Sequence, residues 1–213
     1  MPYIFGYGSL IEQASRLRST PSALYVLPAR ARGYVRGWWA RTGAIGFSTT
    51  FVGAIPEKSG YMNGVIYAVN KEELDDTDKR ESGYTREDIA SHVEILSGGS
   101  VPKSEIYIYL NKFEEGQRVK SLPTPDFPIV QSYGDICLTG CLKIEKGFPD
   151  AVGFAGDFIQ TTQEWSKYWE NDRVQPRRAP FTVPAASKID KLLETHCQSC
   201  SPRFSLRPDA GIA

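Results

Sequence analysis

The sequence predicts an α+β fold: a small closed or partly open mixed β-barrel with helices packed around it, followed by a helical C-terminal part. Strand-like runs fill the first half of the chain and helix-like runs the second half, an order that is typical of α+β proteins. The 213 residues are enough to bury a core. We expect one domain over residues 1–196 and a poorly ordered tail, rich in Ser, Pro and Arg, over residues 197–213.

Short runs of apolar and aromatic residues predict the strands. They cover residues 3–8, 24–41, 47–55, 61–69, 92–96 and 105–109. Polar and apolar residues alternate in the last two runs, as they do in half-buried strands. Pro56 and Gly60 lie in the connection between the third and fourth runs, and this pattern predicts a hairpin there.

Five segments are predicted as helices. They are residues 71–79, 136–144, 150–160, 162–171 and 188–196. Asn70 is the expected N-cap of the first helix. Ser132 and Asp135 resemble a capping box at the start of the second. Trp165 and Trp169 stand four residues apart in the fourth, and we expect this pair in the core.

The composition argues against several classes of function. The chain has 25 Lys and Arg against 25 Asp and Glu, whereas proteins that bind nucleic acid or anionic membranes usually have a basic surplus. No apolar run approaches the roughly 20 residues that a membrane span needs. No secretory signal is visible at the start of the chain, so we expect a cytoplasmic protein with reduced thiols.

The few histidines and the spacing of the cysteines argue against metal chemistry. His92 and His196 are the only histidines, so we expect carboxylates to do any chemistry. Cys197 and Cys200 have CxxC spacing beside His196, which suits half a zinc site or a redox pair. A zinc site needs four ligands, and the other two cysteines are distant in sequence, so we expect two thiols in the tail and no metal.

The first candidate site is the segment Gly6-Tyr7-Gly8-Ser9-Leu10 at the end of the first strand. It is not a dinucleotide fingerprint, because Ile11 stands where the third glycine would be. Glycines at a strand end allow a sharp turn that points successive N–H groups and the Ser9 hydroxyl toward one place. Such a turn can bind a carboxylate or a developing oxyanion. An ordinary turn is the plainer interpretation.

The second candidate site is Glu81, which follows the acidic helix 71–79 and precedes Gly83 and Tyr84. A carboxylate in apolar surroundings has a raised pKa and can act as a general base. Many other carboxylates lie nearby in the sequence, so a solvated acidic helix is the alternative.

Together these segments resemble the γ-glutamylcyclotransferase-like superfamily, which includes the ChaC-like and AIG2-like proteins. The resemblance covers about residues 3–146. Residues 4–11 are similar to the family's substrate-cradle loop, and residues 78–84 are similar to the segment around its catalytic glutamate. Residues 53–67 resemble the family's central hairpin. Tyr133 stands where the family has a further substrate-contacting tyrosine.

The resemblance implies an amide-cleaving lyase or acyltransferase that works without metal or cofactor. Such enzymes cyclise a γ-glutamyl amide to 5-oxoproline and release an amine or amino acid. Glu81 would be the general acid and base. The substrate, a small molecule, would be bound by Tyr7, Gly8, Ser9, Leu10 and Tyr133. The ChaC-like branch has a longer segment rich in Arg, Gly and Thr than residues 40–46 here, so glutathione is less favoured as a substrate.

Two alternatives remain open at this point. The first is a small-molecule binding module of the same fold without catalysis. The second is a hydrolase that uses Ser9 or a cysteine as nucleophile with His92 as base, although a lone histidine in a strand is more often structural.

Overall fold

A seven-stranded mixed sheet organises the computed structural model, which describes residues 1–42, 49–98, 100–114, 117–180, 182 and 184–199. The strands are β1 (Tyr3–Gly6), β2 (Leu27–Thr42), β3 (Thr49–Ala68), β4 (Tyr84–Asp88), β5 (Val93–Ile95), β6 (Ile106–Asn111), β7 (Ile129–Val130), β8 (Thr162–Gln163) and β9 (Trp169–Glu170). The sheet order is β4-β6-β1-β3-β2-β5, with β8 also paired to β2, and β7 pairs separately with β9.

The sheet is a curled half-barrel with helices around it, so the predicted α+β fold with a partly open barrel is confirmed. β2 and β3 form its long antiparallel centre, and two register shifts interrupt their pairing. Gly33 lies at the first shift with a φ of 82°, a left-handed conformation that suits glycine at a β-bulge. Bulges bend a strand and increase its twist, so they help to curl the sheet.

The predicted hairpin at residues 56–60 is wrong. β3 runs without a break from Thr49 to Ala68, and Pro56 pairs with Tyr34 on β2. Gly60 has a different role, because a Cβ there would stand 2.2 Å from a methyl carbon of Val35. Glycine within a strand can mark such a close approach rather than a turn. Residues 43–48, between β2 and β3, lie outside the described residues.

Six helices are described: α1 (Gln13–Arg16), α2 (Lys71–Arg80), α3 (Gln117–Lys120), α4 (Gln131–Gly147), α5 (Phe154–Gln160) and α6 (Ala186–His196). The predicted cap of α2 is confirmed, since the side chain of Asn70 accepts from the N–H of Glu73 and the carboxylate of Glu73 accepts from the N–H of Asn70. None of the helices in these described ranges is long and apolar enough to cross a membrane.

The predicted helix over residues 162–171 is wrong. This segment is extended and adds β8 to β2 and β9 to β7. Trp165 and Trp169 still stack, with ring centroids 5.5 Å apart, and both pack against the core. In this segment, pairing with the distant strands β2 and β7 is preferred over a helix. The spacing of Trp165 and Trp169 in the sequence does not indicate this pairing.

The predicted capping box of α4 is also wrong. Ser132 and Asp135 lie inside the helix, which begins at Gln131. Asp172 takes the capping role instead, accepting hydrogen bonds from the backbone N–H of Ser132 at 2.7 Å and from its hydroxyl at 2.6 Å. The cap comes from a segment some forty residues further along the chain, beyond the reach of a local motif.

The C-terminal cysteine spacing gives one further correction. Cys197 is buried and disulfide-bonded, so the expectation of a free thiol there is wrong. CxxC spacing suits a bonded redox pair as well as two free thiols, and the sequence alone does not separate the two. Residues 200–213 lie outside the described residues, so the tail and the domain boundary stay predictions.

Hydrophobic clusters cover both faces of the sheet. Ile4 and Phe5 are neighbours in β1 and belong to different clusters, because side chains alternate along a strand. The larger cluster packs α4, α5 and α6 against the sheet. Gly140 of α4 lies close enough to the turn after β1 that a Cβ would stand 2.5 Å from the nitrogen of Glu12. Helix α4 therefore rests directly on the segment that follows Ser9.

Candidate active site

The turn that follows β1 contains the first group of candidate residues. Ser9–Ile11 form a 3-10 turn, in which the N–H of Ile11 donates to the carbonyl oxygen of Gly8 at 3.0 Å. The N–H groups of Gly8, Ser9 and Leu10 precede this first helical bond, so the turn itself supplies no acceptor for them. We call residues 7–10 the 7–10 loop.

A buried arginine holds the start of the 7–10 loop. The Arg36 guanidinium is fully buried and makes six hydrogen bonds, all to neutral oxygen atoms. One of them reaches the carbonyl oxygen of Tyr7 at 3.0 Å, and others reach the carbonyls of Asn63 at 2.8 Å and Phe158 at 2.9 Å. Burial lowers the pKa of Arg36 to about 10. Arg36 thus ties the loop to β3 and to α5.

Two further contacts fix the rest of the 7–10 loop. The side chain of Arg16 donates to the carbonyl of Leu10 at 3.0 Å. Gly8 has no room for a side chain, because a Cβ would stand 2.8 Å from a methyl carbon of Val52 and 2.9 Å from the hydroxyl oxygen of Tyr133. Glycine at position 8 therefore lets the Tyr133 hydroxyl come up against the loop.

Glu81 lies at the end of α2. Its N–H donates to the carbonyl of Thr77 at 2.8 Å, which makes it the C-cap residue of that helix. Its side chain is 20% exposed, and the carboxylate lies 3.2 Å from Nε of Arg80. Burial raises the pKa of Glu81, and the positive charge of Arg80 partly offsets this. The carboxylate thus holds a proton more readily than an exposed glutamate does.

Glu81 and the 7–10 loop line one small pocket of about 80 Å³. Its lining residues are Phe5, Tyr7, Gly8, Ser9, Leu10, Arg80, Glu81, Tyr84, Tyr109 and Tyr133. The structure therefore brings together Glu81 and the five expected substrate-binding residues, although they come from segments up to more than a hundred residues apart in the chain.

Sequence reasoning assigned no site role to Phe5, Arg80, Tyr84 or Tyr109, which also line the pocket. Arg80 and Tyr84 stand within three residues of Glu81 in the sequence, and this closeness could have placed them in the predicted site. Tyr109 had no comparable signal, because it enters through the parallel pairing of β6 with β1, a long-range contact. Alternation of polar and apolar residues marks a strand but does not tell which strand it pairs with.

The tyrosines give the pocket neutral, oriented hydroxyl groups. Tyr7 donates its hydroxyl to the backbone carbonyl of Tyr109 at 2.7 Å. Tyr133 is 6% exposed and packs against the ring of Phe51, with centroids 4.6 Å apart. Burial raises the pKa of both Tyr7 and Tyr133 well above the usual value, so both phenols stay protonated near neutral pH.

The residues required by a serine or cysteine hydrolase do not meet in this pocket. His92 is exposed, and its ring lies edge-on to that of Tyr34, 5.6 Å away, outside the pocket lining. Burial raises the pKa of Cys137 to about 12, which disfavours the thiolate. Within the described ranges, no three His, Cys, Asp or Glu side chains are grouped as metal ligands would be.

The chain is similar to known proteins in fold and in sequence pattern. Two solved structures have a TM-score of 0.55 to this chain. One is named γ-glutamyl cyclotransferase, and it is 16% identical over 91% of this chain and 98% of its own. The other is the human protein loc79017, called uncharacterized, which is 17% identical over 90% of this chain and 97% of its own. At such identities the likeness shows the fold alone. No curated protein sequence matches. Residues 4–127, more than half of the chain, match the family model described as γ-glutamyl cyclotransferase, AIG2-like, and the chain belongs to that family.

Proposed function

We propose that this protein cyclises a γ-glutamyl amide to 5-oxoproline and releases an amine or amino acid. The observation that carries the proposal is the pocket itself, in which Glu81 and the 7–10 loop line the same small space. Glu81, whose pKa is raised, and the residues of the 7–10 loop line the same pocket. A general base and hydrogen-bond donors for an oxyanion or carboxylate are the two elements that the reaction needs.

The reaction would use the substrate's own amine as the nucleophile. Glu81 accepts a proton from the substrate's α-ammonium group, and the freed amine attacks the γ-carbonyl carbon, forming the ring C–N bond. In the tetrahedral intermediate, Glu81 passes this proton to the leaving nitrogen and takes the second proton from the ring nitrogen. The oxyanion then re-forms the carbonyl, the bond to the leaving nitrogen breaks, and Glu81 gives the second proton to the released amine. No enzyme nucleophile is consumed, which suits a pocket without a serine–histidine pair.

The pocket would contribute by holding the glutamyl chain folded. Ring closure is intramolecular, and correct alignment of the reacting atoms can supply several kcal/mol of the barrier. The N–H groups of Gly8, Ser9 and Leu10 would bind the glutamyl carboxylate or the oxyanion. Tyr7 and Tyr133 would form walls and offer hydroxyl contacts.

The raised pKa of Glu81 favours this role. A general base works best when its pKa lies near the working pH, and burial moves the pKa of Glu81 in that direction. The tyrosine hydroxyls stay neutral, so they add no negative charge that would oppose the glutamyl carboxylate or the developing oxyanion.

Several finer points belong to this proposal. The proposed reaction requires no cofactor or metal. The binding partner is a small γ-glutamyl molecule rather than nucleic acid or a membrane. The expected location of the protein is the cytoplasm. The leaving group is open, with glutathione less favoured. Without catalysis, the same pocket would be a small-molecule binding module.

The proposal is tested by incubating the protein with a panel of γ-glutamyl amino acids and amines. We expect 5-oxoproline and the free amine in equal amounts. Glu81→Gln should keep the fold and the binding of substrate but lose at least about a hundredfold in kcat, the usual contribution of a general base.

Glu72→Gln is the matched control, because Glu72 is exposed on the same helix, and its activity should equal that of the wild type. Near-normal turnover by Glu81→Gln would exclude Glu81 as the base. No 5-oxoproline from any amide, with a ligand-induced rise in Tm, would identify a binding module instead.

A further inference from the structure

Tyr109 contacts both sides of the pocket through two different groups. Its hydroxyl donates to Oδ1 of Asp78 at 2.7 Å, and Asp78 lies on α2 three residues before Glu81. Its backbone carbonyl accepts the hydroxyl of Tyr7 at 2.7 Å. We call this pair of contacts the Asp78–Tyr109–Tyr7 bridge. It runs from the helix that carries Glu81, through β6, to the 7–10 loop.

The parts of the bridge are placed firmly. Tyr109 is 6% exposed, and burial together with Asp78 raises the pKa of its phenol, so the hydroxyl remains a donor. Asp78 also forms an ion pair with Arg86 on β4. β4 is the neighbour of β6 in the sheet, so Arg86 and Tyr109 hold the Asp78 carboxylate from two adjacent strands.

The two ends of α2 are anchored differently. The N-terminal end has its capping box, and Glu73 also accepts hydrogen bonds from the N–H and hydroxyl of Ser22 at 2.8 Å and 2.6 Å. At the C-terminal end, Arg80 reaches the hydroxyl of Ser19 through an exposed contact. Asp78 supplies the half-buried contact to the sheet at this end.

We propose that Asp78 is a positioning residue, which acts through Tyr109 to set the separation between the Glu81 carboxylate and the 7–10 loop. Asp78 does not line the pocket and has no contact with the reacting atoms. The effect on turnover rests on the proposed function, whereas the effect on the geometry of the loop does not. A misplacement of about 1 Å can cost on the order of a hundredfold in rate, so a loosened bridge has a measurable consequence.

The first test compares kinetic constants of four variants. Asp78→Ala and Tyr109→Phe each remove the side-chain contact and should lower kcat about tenfold, with a smaller change in KM. Asp78→Asn keeps an oxygen that accepts from Tyr109 and should return kcat to within about threefold of the wild type. The double variant, Asp78→Ala with Tyr109→Phe, should be no slower than either single variant, since both remove one interaction.

Asp76→Ala is the matched control, because Asp76 is an exposed aspartate on the same helix and pairs with Lys79. It should leave kcat and KM unchanged. Additive losses in the double variant would mean that Asp78 and Tyr109 do not act through one shared interaction. A fall in the Tm of Asp78→Ala with unchanged kcat would mean that the contact only stabilises the fold. Either result would overturn the proposal.

The second test does not depend on activity. Hydrogen–deuterium exchange is measured on a peptide that covers the 7–10 loop, which lies some seventy residues from Asp78 in the sequence. Asp78→Ala should speed exchange there, and Asp76→Ala should not. Unchanged exchange in Asp78→Ala overturns the positioning role even if the enzyme is active. Faster exchange in a protein that cyclises no γ-glutamyl amide would keep the positioning role and reject the proposed function.

Discussion

The two sides of the pocket are built differently. The 7–10 loop is held by buried groups, above all Arg36, which bonds the carbonyl of Tyr7, and by the close packing at Gly8. Glu81 lies at a helix end with 20% of its side chain exposed, and its ion-pair partner Arg80 is 37% exposed. The 7–10 loop is thus constrained by several contacts at once, while Glu81 keeps access to solvent.

This difference has a chemical reason under the proposed function. Binding N–H groups must keep their geometry, because their value in a reaction depends on being oriented beforehand. A general base must exchange protons between turnovers, and full burial would oppose its charged form. Partial exposure of Glu81 allows both a raised pKa and proton exchange.

The largest expected effect compares one arginine from each side. Arg36→Met removes the buried side-chain donor that the carbonyls of Tyr7 and Asn63 share, and each lost hydrogen bond of this kind costs about 1–3 kcal/mol. We expect the free energy of unfolding, measured in urea, to fall by about 3–5 kcal/mol.

Arg80→Met is the comparison, because an exposed ion pair contributes only about 0–1 kcal/mol. Equal effects of the two substitutions on unfolding would contradict the difference in construction between the two sides.

The next effect compares two glycines. Gly8→Ala places a methyl group 2.8 Å from Val52 and 2.9 Å from the Tyr133 hydroxyl, so the loop or Tyr133 must shift. Overpacking of this kind costs about 1–3 kcal/mol, and we expect kcat/KM to fall about tenfold or more. Gly83→Ala, two residues after Glu81, meets nothing within 4 Å and should keep full activity. A Gly8→Ala enzyme of normal activity would show that the loop is adaptable.

A smaller effect concerns pH. The carboxylate of Glu81 must be deprotonated to accept a proton, so kcat/KM rises as the pH passes its pKa from below. Burial raises this pKa and Arg80 lowers it, so Arg80→Met should move the acid limb of the profile to higher pH. Lys79→Met, which removes an exposed charge paired with Asp76, should leave the limb in place. An unmoved limb in Arg80→Met would place the titrating group elsewhere.

The two sides also differ in how far the sequence predicts them. The cap of α2 is a local pattern of Asn70 and Glu73, and its prediction is confirmed. The 7–10 loop and Glu81 stand in short motifs, and both line one pocket. Local signals work where neighbours in sequence make the interaction. Tyr109 and Arg36 reach the pocket or its loop from distant strands, and neither could be inferred from spacing.

Three of the errors share one physical cause. The predicted helix at residues 162–171 is replaced by pairing with β2 and β7, the cap of α4 is supplied by Asp172, and Gly60 marks a close approach of β2 rather than a turn. In each case a long-range contact overrides a local preference. The C-terminal part depends most on such contacts, so its elements were the hardest to predict.

The smallest expected effect separates the hydroxyl of Ser9 from the backbone of the 7–10 loop. Ser9 is 9% exposed and lines the pocket, but the neighbouring N–H groups remain when its hydroxyl is removed. Ser9→Ala should therefore raise KM only about threefold, the worth of one ordinary hydrogen bond, with little change in kcat. Ser82→Ala, exposed beside Glu81, should change neither constant. A loss of kcat in Ser9→Ala as large as that of Glu81→Gln would mean that the hydroxyl takes part in the chemical step, and the loop could no longer be regarded as the side that only holds the substrate.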